Sequence, residues 1–261
     1  MKIDIITLFP KMFKGPFDES IIMRAQNKNL VEITIHNLRK WTKDKRGTVD
    51  DRPYGGGVGM VMMTAPIAKA IEKIKSQNTK YKNLSRACRR IQNTKIVLLS
   101  PRGKVWKQEM CQEYSKLDHL ILICGHYEGV DERVREFIDE EISIGDFVLT
   151  GGEYPSMVIV DAVSRLVPGF VGNSDSVLYD SFTMGLLEGP HYTRPREYKG
   201  WKVPEVLLSG HQKKIEKWRR IKSLVRTVKR RPDLLEKVDL TEEDRNIIEA
   251  SRSKLREISD G

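Results

Sequence analysis

Over the first two thirds of the chain, short and nearly uninterrupted apolar runs alternate with charged or amphipathic segments. The runs Ile3–Phe9, Val31–His36, Ile96–Leu99, Leu120–Cys124 and Ile142–Leu149 predict strands buried on both faces. Between them, Ser20–Asn27, Thr64–Lys75, Lys107–Lys116 and the charged stretch Val130–Glu141 have helical composition, with Thr64 as an N-cap and Pro66 in the first turn. Strand and helix in alternation predict an α/β domain with a parallel sheet. Three strands run into turn residues: Ser100-Pro101-Arg102-Gly103, Gly125-His126-Tyr127-Glu128-Gly129 and Thr150-Gly151-Gly152. Open α/β sheets bind ligands outside the carboxyl ends of their strands, so the last two of these turns predict one shared pocket.

The pattern changes after Pro155. Met157–Val167 is apolar at helical spacing, with Arg165 among its apolar positions, and Gly169–Tyr179 is small and polar, as in a linker. Asp180 opens a second region that turns helical from Gln212. There Ile215, Trp218, Ile221, Val225 and Val228 predict one apolar stripe flanked by basic residues. Thr241 and the acids after it predict the start of a last helix.

Composition adds a partner to this picture. The 261 residues are 39% hydrophobic and 31% charged, which fits a globular protein with an ample core, and the formal net charge is +10. Most of that excess lies in 210–231, where ten Lys/Arg face a single acid, Glu216, for a net +9. Such a helix predicts phosphate contacts with a nucleic acid. The acid-free stretch Ser76–Lys95 predicts an exposed insertion. Pro53–Met60 has four glycines in five residues, but no Gly-Lys-Ser/Thr follows, as a phosphate loop requires, and no strand leads in, as a dinucleotide fingerprint requires. Cys88, Cys111 and Cys124 show no CxxC spacing, which predicts a reducing compartment. No apolar run approaches the roughly 18 residues of a membrane span, and the N-terminal run is too short for a signal peptide. A cytoplasmic protein is expected.

Six motifs then narrow the reading: DDRPYGGGVGM (50–60), LSPRG (99–103), CGHYEGVDERV (124–134), SIGDFVLTGGE (143–153), SFTMGLLEGPHYTRP (181–195) and VPEVLLSGH (203–211). In this order, over nearly the full length, they resemble the bacterial tRNA (guanine-N1)-methyltransferases of the SPOUT superfamily. His126 stands where arginine is more familiar, and the Ser76–Lys95 insertion is longer than expected.

The resemblance implies an α/β fold: a parallel-sheet SPOUT domain at 1–168 with a C-terminal trefoil knot, a linker at 169–179 and a smaller, mostly α-helical tRNA-binding domain at 180–261. It also implies a homodimer with its active site at the subunit interface, S-adenosylmethionine as methyl donor, tRNA as substrate and a link to magnesium, for which no metal ligands are evident. Cofactor contacts are implied for Leu99, Ser100, Pro101 and Gly103 in the first turn, and for Gly125, Tyr127, Glu128 and Gly129 in the second. The third contributes Ser143, Ile144, Gly145, Asp146, Phe147, Val148, Leu149, Gly151, Gly152 and Pro155. Substrate contacts are implied for Gly57, Gly59, Lys217, Arg219 and Arg220. On the residues alone, Asp180 reads as a helix N-cap and Arg165 as a surface or salt-bridge arginine. The resemblance makes Asp180 the general base, supplied by the other subunit, and Arg165 the support for charge developing on guanine. No histidine is assigned a catalytic role.

Overall fold

A computed structural model describes residues 1–77, 93–172 and 180–259. Cys88, most of the basic insertion and most of the expected linker lie outside the described residues. The chain divides into two compact units, Met1–Gly172 and Asn173–Gly261.

The first unit is a mixed α/β structure around a five-stranded parallel sheet. Its strands are β1 (Lys2–Thr7), β2 (Glu32–Asn37), β5 (Thr94–Val105), β6 (His119–Cys124) and β7 (Glu140–Ser143), in the order β2-β1-β6-β5-β7. The register runs from Lys2 opposite His119 to Ile6 opposite Ile123, and from Thr94 opposite His119 to Leu99 opposite Cys124. Side chains alternate along these strands, so β1, β5 and β6 each feed two cores. Ile3, Ile5, Val97, Leu99, Leu120 and Leu122 pack with residues of α1 (Ser20–Asn27), α3 (Gln108–Tyr114) and α4 (Glu153–Ser164). Ile6, Ile96, Leu98, Ile121 and Ile123 pack on the opposite face with α2 (Thr64–Gln77). Two short strands, β3 (Asp50–Asp51) and β4 (Val61–Met62), pair antiparallel on either side of the glycine-rich loop.

Four expectations need correction. Val130–Glu141 is not an α-helix: it holds a 3₁₀ segment, Glu132–Phe137, capped by Asp131 accepting from the Arg133 amide. The last strand stops at Ser143, and the apolar residues after it lie outside the sheet, with Phe147 and Val148 exposed. Ser100–Gly103 does not end its strand. Leu99 and Lys104 both lie opposite Ile142, so 100–103 is an excursion within β5, which rejoins β7 and pairs Val105 with Ser143. Finally, Thr94 and Lys95 belong to β5 rather than to the insertion, and Lys95 pairs with Glu113 and Glu140.

The second unit holds a hairpin of β8 (Glu197–Tyr198) and β9 (Trp201–Lys202), the short helix α5 (Glu205–Leu208), and the helices α6 (Gln212–Arg230) and α7 (Glu242–Ser259). Its core is Leu186, Leu224, Val228, Leu235 and Ile248. The buried face of α6 is therefore rotated from the expected stripe: Leu224, Thr227 and Val228 are buried, while Ile215, Trp218, Ile221 and Val225 are only partly so. Thr227 tolerates burial because its hydroxyl donates to the Ser223 carbonyl at 2.9 Å and accepts from the Leu187 amide at 3.0 Å.

Candidate functional site

The strand order itself points to a ligand crevice. From β6 the chain passes β5 to reach β7, and the carboxyl ends of these strands are where an open parallel sheet leaves room. A cavity of about 290 Å³ opens there. Its walls come from the end of β5 and its excursion, the turn after β6, and the segment from β7 to the first turn of α4.

Backbone approaches shape this cavity. A Cβ on Gly152 would lie 2.6 Å from the Cys124 Cα and 2.9 Å from the Gly125 nitrogen, so only glycine lets α4 begin against the end of β6. The Gly152 amide uses that closeness to donate to the Gly125 carbonyl at 2.8 Å. Gly103 serves β5 in the same way, since a Cβ there would meet the Glu141 and Ile142 backbone at 2.4 Å. The turn after β6 takes Tyr127 and Gly129 to φ values of 61° and 117°. It is stitched to the end of the glycine-rich loop: the Glu128 amide donates to the Met60 carbonyl at 3.1 Å, and the Met62 amide to the Gly129 carbonyl at 2.9 Å.

A polar cluster sits beneath these turns. Glu153, in the first turn of α4, is buried, and its Oε1 accepts from the Thr7 hydroxyl at 2.7 Å. Thr7 Oγ1 in turn accepts from the Phe9 amide at 2.8 Å, so the end of β1 holds the carboxylate in place. The other oxygen, Oε2, lies 4.0 Å from Nδ1 of His126, a ring packed between Phe9 and Tyr127. Gly151 is wedged between them: a Cβ would sit 2.4 Å from Glu153 Oε2 and 2.5 Å from His126 Nδ1. Burial and the Glu153 carboxylate push the Cys124 thiol well above its ordinary range, which makes it a poor nucleophile at neutral pH.

Sixteen of the eighteen expected cofactor residues line this cavity; Gly103 and Asp146 do not. Leu98, Arg102, His126, Val130, Ile142 and Thr150 also line it; Arg102, His126 and Thr150 belong to the turns expected there, whereas Leu98, Val130 and Ile142 were not expected. Leu98, Val130 and Ile142 look in sequence like ordinary core residues. His126 and Thr150 lay inside the quoted turns, and position within those turns was the available signal. Gly57 is exposed at φ 127°, whereas Gly59 packs against Glu128, whose Cγ lies 2.5 Å from where a Cβ would stand.

The remaining expected residues lie elsewhere. Arg165 is exposed at the C-terminal end of α4. Asp180 belongs to the second unit and does not cap a helix; its carbonyl accepts from the Thr183 amide at 3.3 Å in a turn. Arg219 is exposed on α6, and Lys217 pairs there with Glu243. Arg220 is engaged within the unit: its Nε and Nη2 donate to the two Asp244 oxygens at 3.2 and 2.9 Å, joining α6 to α7. Among the described residues, no group of three or more His, Cys, Asp or Glu side chains is arranged to hold a metal ion, and no helix is long and apolar enough to cross a membrane.

Comparison with known proteins identifies the family. The family model described as tRNA (Guanine-1)-methyltransferase TrmD matches residues 1–237. A tRNA (guanine-N(1)-)-methyltransferase of Dictyoglomus turgidum is 54% identical over 257 residues, covering 98% of this chain and 99% of its own. Its counterpart in Pelotomaculum thermopropionicum is 51% identical over 259 residues, covering 99% of both chains, and one from Dehalococcoides mccartyi is 52% identical over 250, covering 95% and 96%. Across both units, then, the chain belongs to the tRNA (guanine-N1)-methyltransferase family.

Proposed function

We propose that the protein transfers a methyl group from S-adenosylmethionine to N1 of guanosine 37, the nucleotide 3′ of the anticodon in tRNA. The observation that carries this reading is the convergence of three separate segments on one glycine-backed cavity, in a chain of this family. The fit to the donor is chemical. Close approaches at Gly125, Gly151 and Gly152 leave room for adenosine against the backbone, and Leu99, Ile144 and Leu149 offer apolar walls. The bound donor brings a methyl group already activated by a sulfonium.

The chain must therefore make the acceptor reactive. Guanine N1 holds a proton at neutral pH, so a general base has to remove it while a cation steadies the charge gathering at O6. In this reading Asp180 takes the proton and Arg165 faces O6. As the donor set for a metal is lacking among the described residues, the chemistry is derived without magnesium. A homodimer completes the site, with Asp180 supplied by the other subunit. Exposed apolar side chains, Phe147 and Val148 at the cavity and Tyr154 and Val158 on α4, support a covering partner. The fold of the family further implies a trefoil knot through the cavity segments in domain 1–168, and a tRNA-binding domain at 180–261 after the linker 169–179. The enzyme works on tRNA in the cytoplasm.

Incubation with labelled S-adenosylmethionine and tRNA, followed by mapping of the methylated nucleotide, tests the assignment. Asp180→Ala is expected to keep cofactor affinity and to lower methyl transfer by at least ~100-fold, the scale of a lost general base. Near-normal turnover in that variant would remove Asp180 from the role.

A further inference from the structure

The second unit carries an aromatic surface that methyl transfer leaves unexplained. Residues 191–202 are exposed throughout. Within them β8 and β9 form a hairpin in which Tyr198 lies opposite Trp201 and Glu197 opposite Lys202. Its two-residue loop, Lys199-Gly200, has φ values of 52° and 84°, the left-handed pair of a type I′ turn, whose twist matches that of the strands. The Val203 amide closes the base by donating to the Arg196 carbonyl at 2.9 Å. Side chains of directly opposed residues share a face, so Tyr198 and Trp201 stand together and the Glu197–Lys202 ion pair stands on the other side. Rings of this size normally bury most of their area, yet Tyr198 is 58% exposed and Trp201 74%.

Charge identifies the partner. Arg194, Arg196, Lys199 and Lys202 lie in the same exposed segment against the single acid Glu197, for a net +3 over 194–202, with Lys202 on the far face beside Glu197. The Lys199 ammonium lies 5.5 Å from the Tyr198 ring centroid. Aromatic faces framed by cations fit a polyanion that itself carries flat π-faces. Duplex bases are already stacked on one another, so such a surface suits unpaired ones. We propose that the Tyr198–Trp201 hairpin is a stacking platform for unpaired nucleobases of the RNA substrate. This rests on the tRNA reading above and adds a site to it. Every base has a π-face, so the platform adds affinity without selecting sequence.

The test uses the full-length protein with unmodified tRNA and, separately, a short unpaired oligoribonucleotide and a duplex of the same length. Trp201→Ala is expected to raise KM for tRNA roughly 10-fold or more, the usual scale of losing one stacked base, and to abolish most oligonucleotide binding. Cofactor affinity should not change, and Trp201→Phe should restore most of the loss because it keeps a ring. In the wild type the unpaired oligonucleotide should quench tryptophan fluorescence more than the duplex, and that difference should vanish in Trp201→Ala. Unchanged KM and unchanged oligonucleotide binding in Trp201→Ala would overturn the platform while leaving methyl transfer standing. Absence of methyl transfer by the wild type would instead overturn the reading beneath it, and the oligonucleotide arm would still decide whether the hairpin binds RNA. A change of oligomeric state in Trp201→Ala would assign the rings to a second copy of this chain and overturn the proposal.

Discussion

The cavity of the first unit and the basic helix α6 of the second prepare for ligands in opposite ways. Around the cavity the polar groups on offer are held in turns drawn close by glycines, whose missing Cβ is required by neighbours at 2.4–2.9 Å. On α6 they belong to long side chains, and much of that charge is already engaged within the unit. Arg220 grips Asp244, Lys217 pairs with Glu243, and Arg226 donates to the carbonyls of Glu188 and Gly189 at 2.8 and 3.1 Å. Just past the helix, Arg231 pairs with Asp233. Lys213, Lys214, Arg219, Lys229 and Arg230 stay exposed. A glycine in a tight turn reports its constraint locally. A cation on a helix reports only a capacity, and its tertiary partners decide whether that capacity faces outward.

The comparison breaks first if the glycines can be replaced. Gly152→Ala sets a methyl group 2.6 Å from the Cys124 Cα, which is backbone and cannot rotate away. The turn must move, and a shift near 1 Å at a binding centre costs on the order of 100-fold. Cofactor affinity measured by titration calorimetry is expected to fall by at least that factor. An affinity within threefold of wild type would mean that these close approaches are incidental to binding.

Arg220→Ala probes the other region, and its effect should appear in stability. Asp244 is nearly buried and would lose two charge-assisted hydrogen bonds, worth about 2 kcal/mol together. The Arg220 guanidinium holds the Asp244 carboxyl below the usual carboxylate range. The wild-type advantage is therefore full above about pH 4, the ordinary aspartate value, and shrinks as pH falls below it and the carboxyl takes up a proton. Urea melts of the two proteins at pH 7 and pH 3 measure this. Equal stability at pH 7, with tRNA affinity reduced, would return Arg220 to phosphate binding.

The same contrast explains what could be read from the chain. Strand existence was legible for β1, β5 and β6 because burial on both faces leaves continuous apolar runs, and for β2 from its alternating isoleucines, and α1 was legible to its end residues. The run after β7 misled, since Phe147, Val148 and Leu149 are apolar without being core: they face the cavity or solvent, and composition does not distinguish the two. The excursion at Ser100–Gly103 was legible as a break but not as one that rejoins its own strand, because Lys104 and Val105 gain their pairing from β7, distant in sequence. Glycine positions pointed to the cavity. The Thr7–Glu153–His126 cluster under it was legible only in part: His126 and Glu153 stand beside glycine turns, but nothing in sequence joins them to each other or to Thr7.

Smaller effects sharpen the comparison on α6. Arg219→Ala, at an exposed and outward-facing cation, is expected to weaken tRNA binding severalfold and to reduce the slope of log affinity against log salt by about one, with stability unchanged. The smallest effect should come from an acid. Lys217 and Glu243 are each 62% exposed, so their ion pair is screened and adds under ~1 kcal/mol to stability. While it holds, however, it ties one cation to an acid of α7. Glu243→Gln leaves the fold intact and releases Lys217, and the like-charged field of α6 turns it toward any bound phosphate. Binding of tRNA at low salt should then strengthen by about twofold, with the salt slope steepened rather than flattened. If affinity and slope both stay fixed, Lys217 was already available in the wild type, and engagement within the unit does not decide which cations of α6 meet RNA.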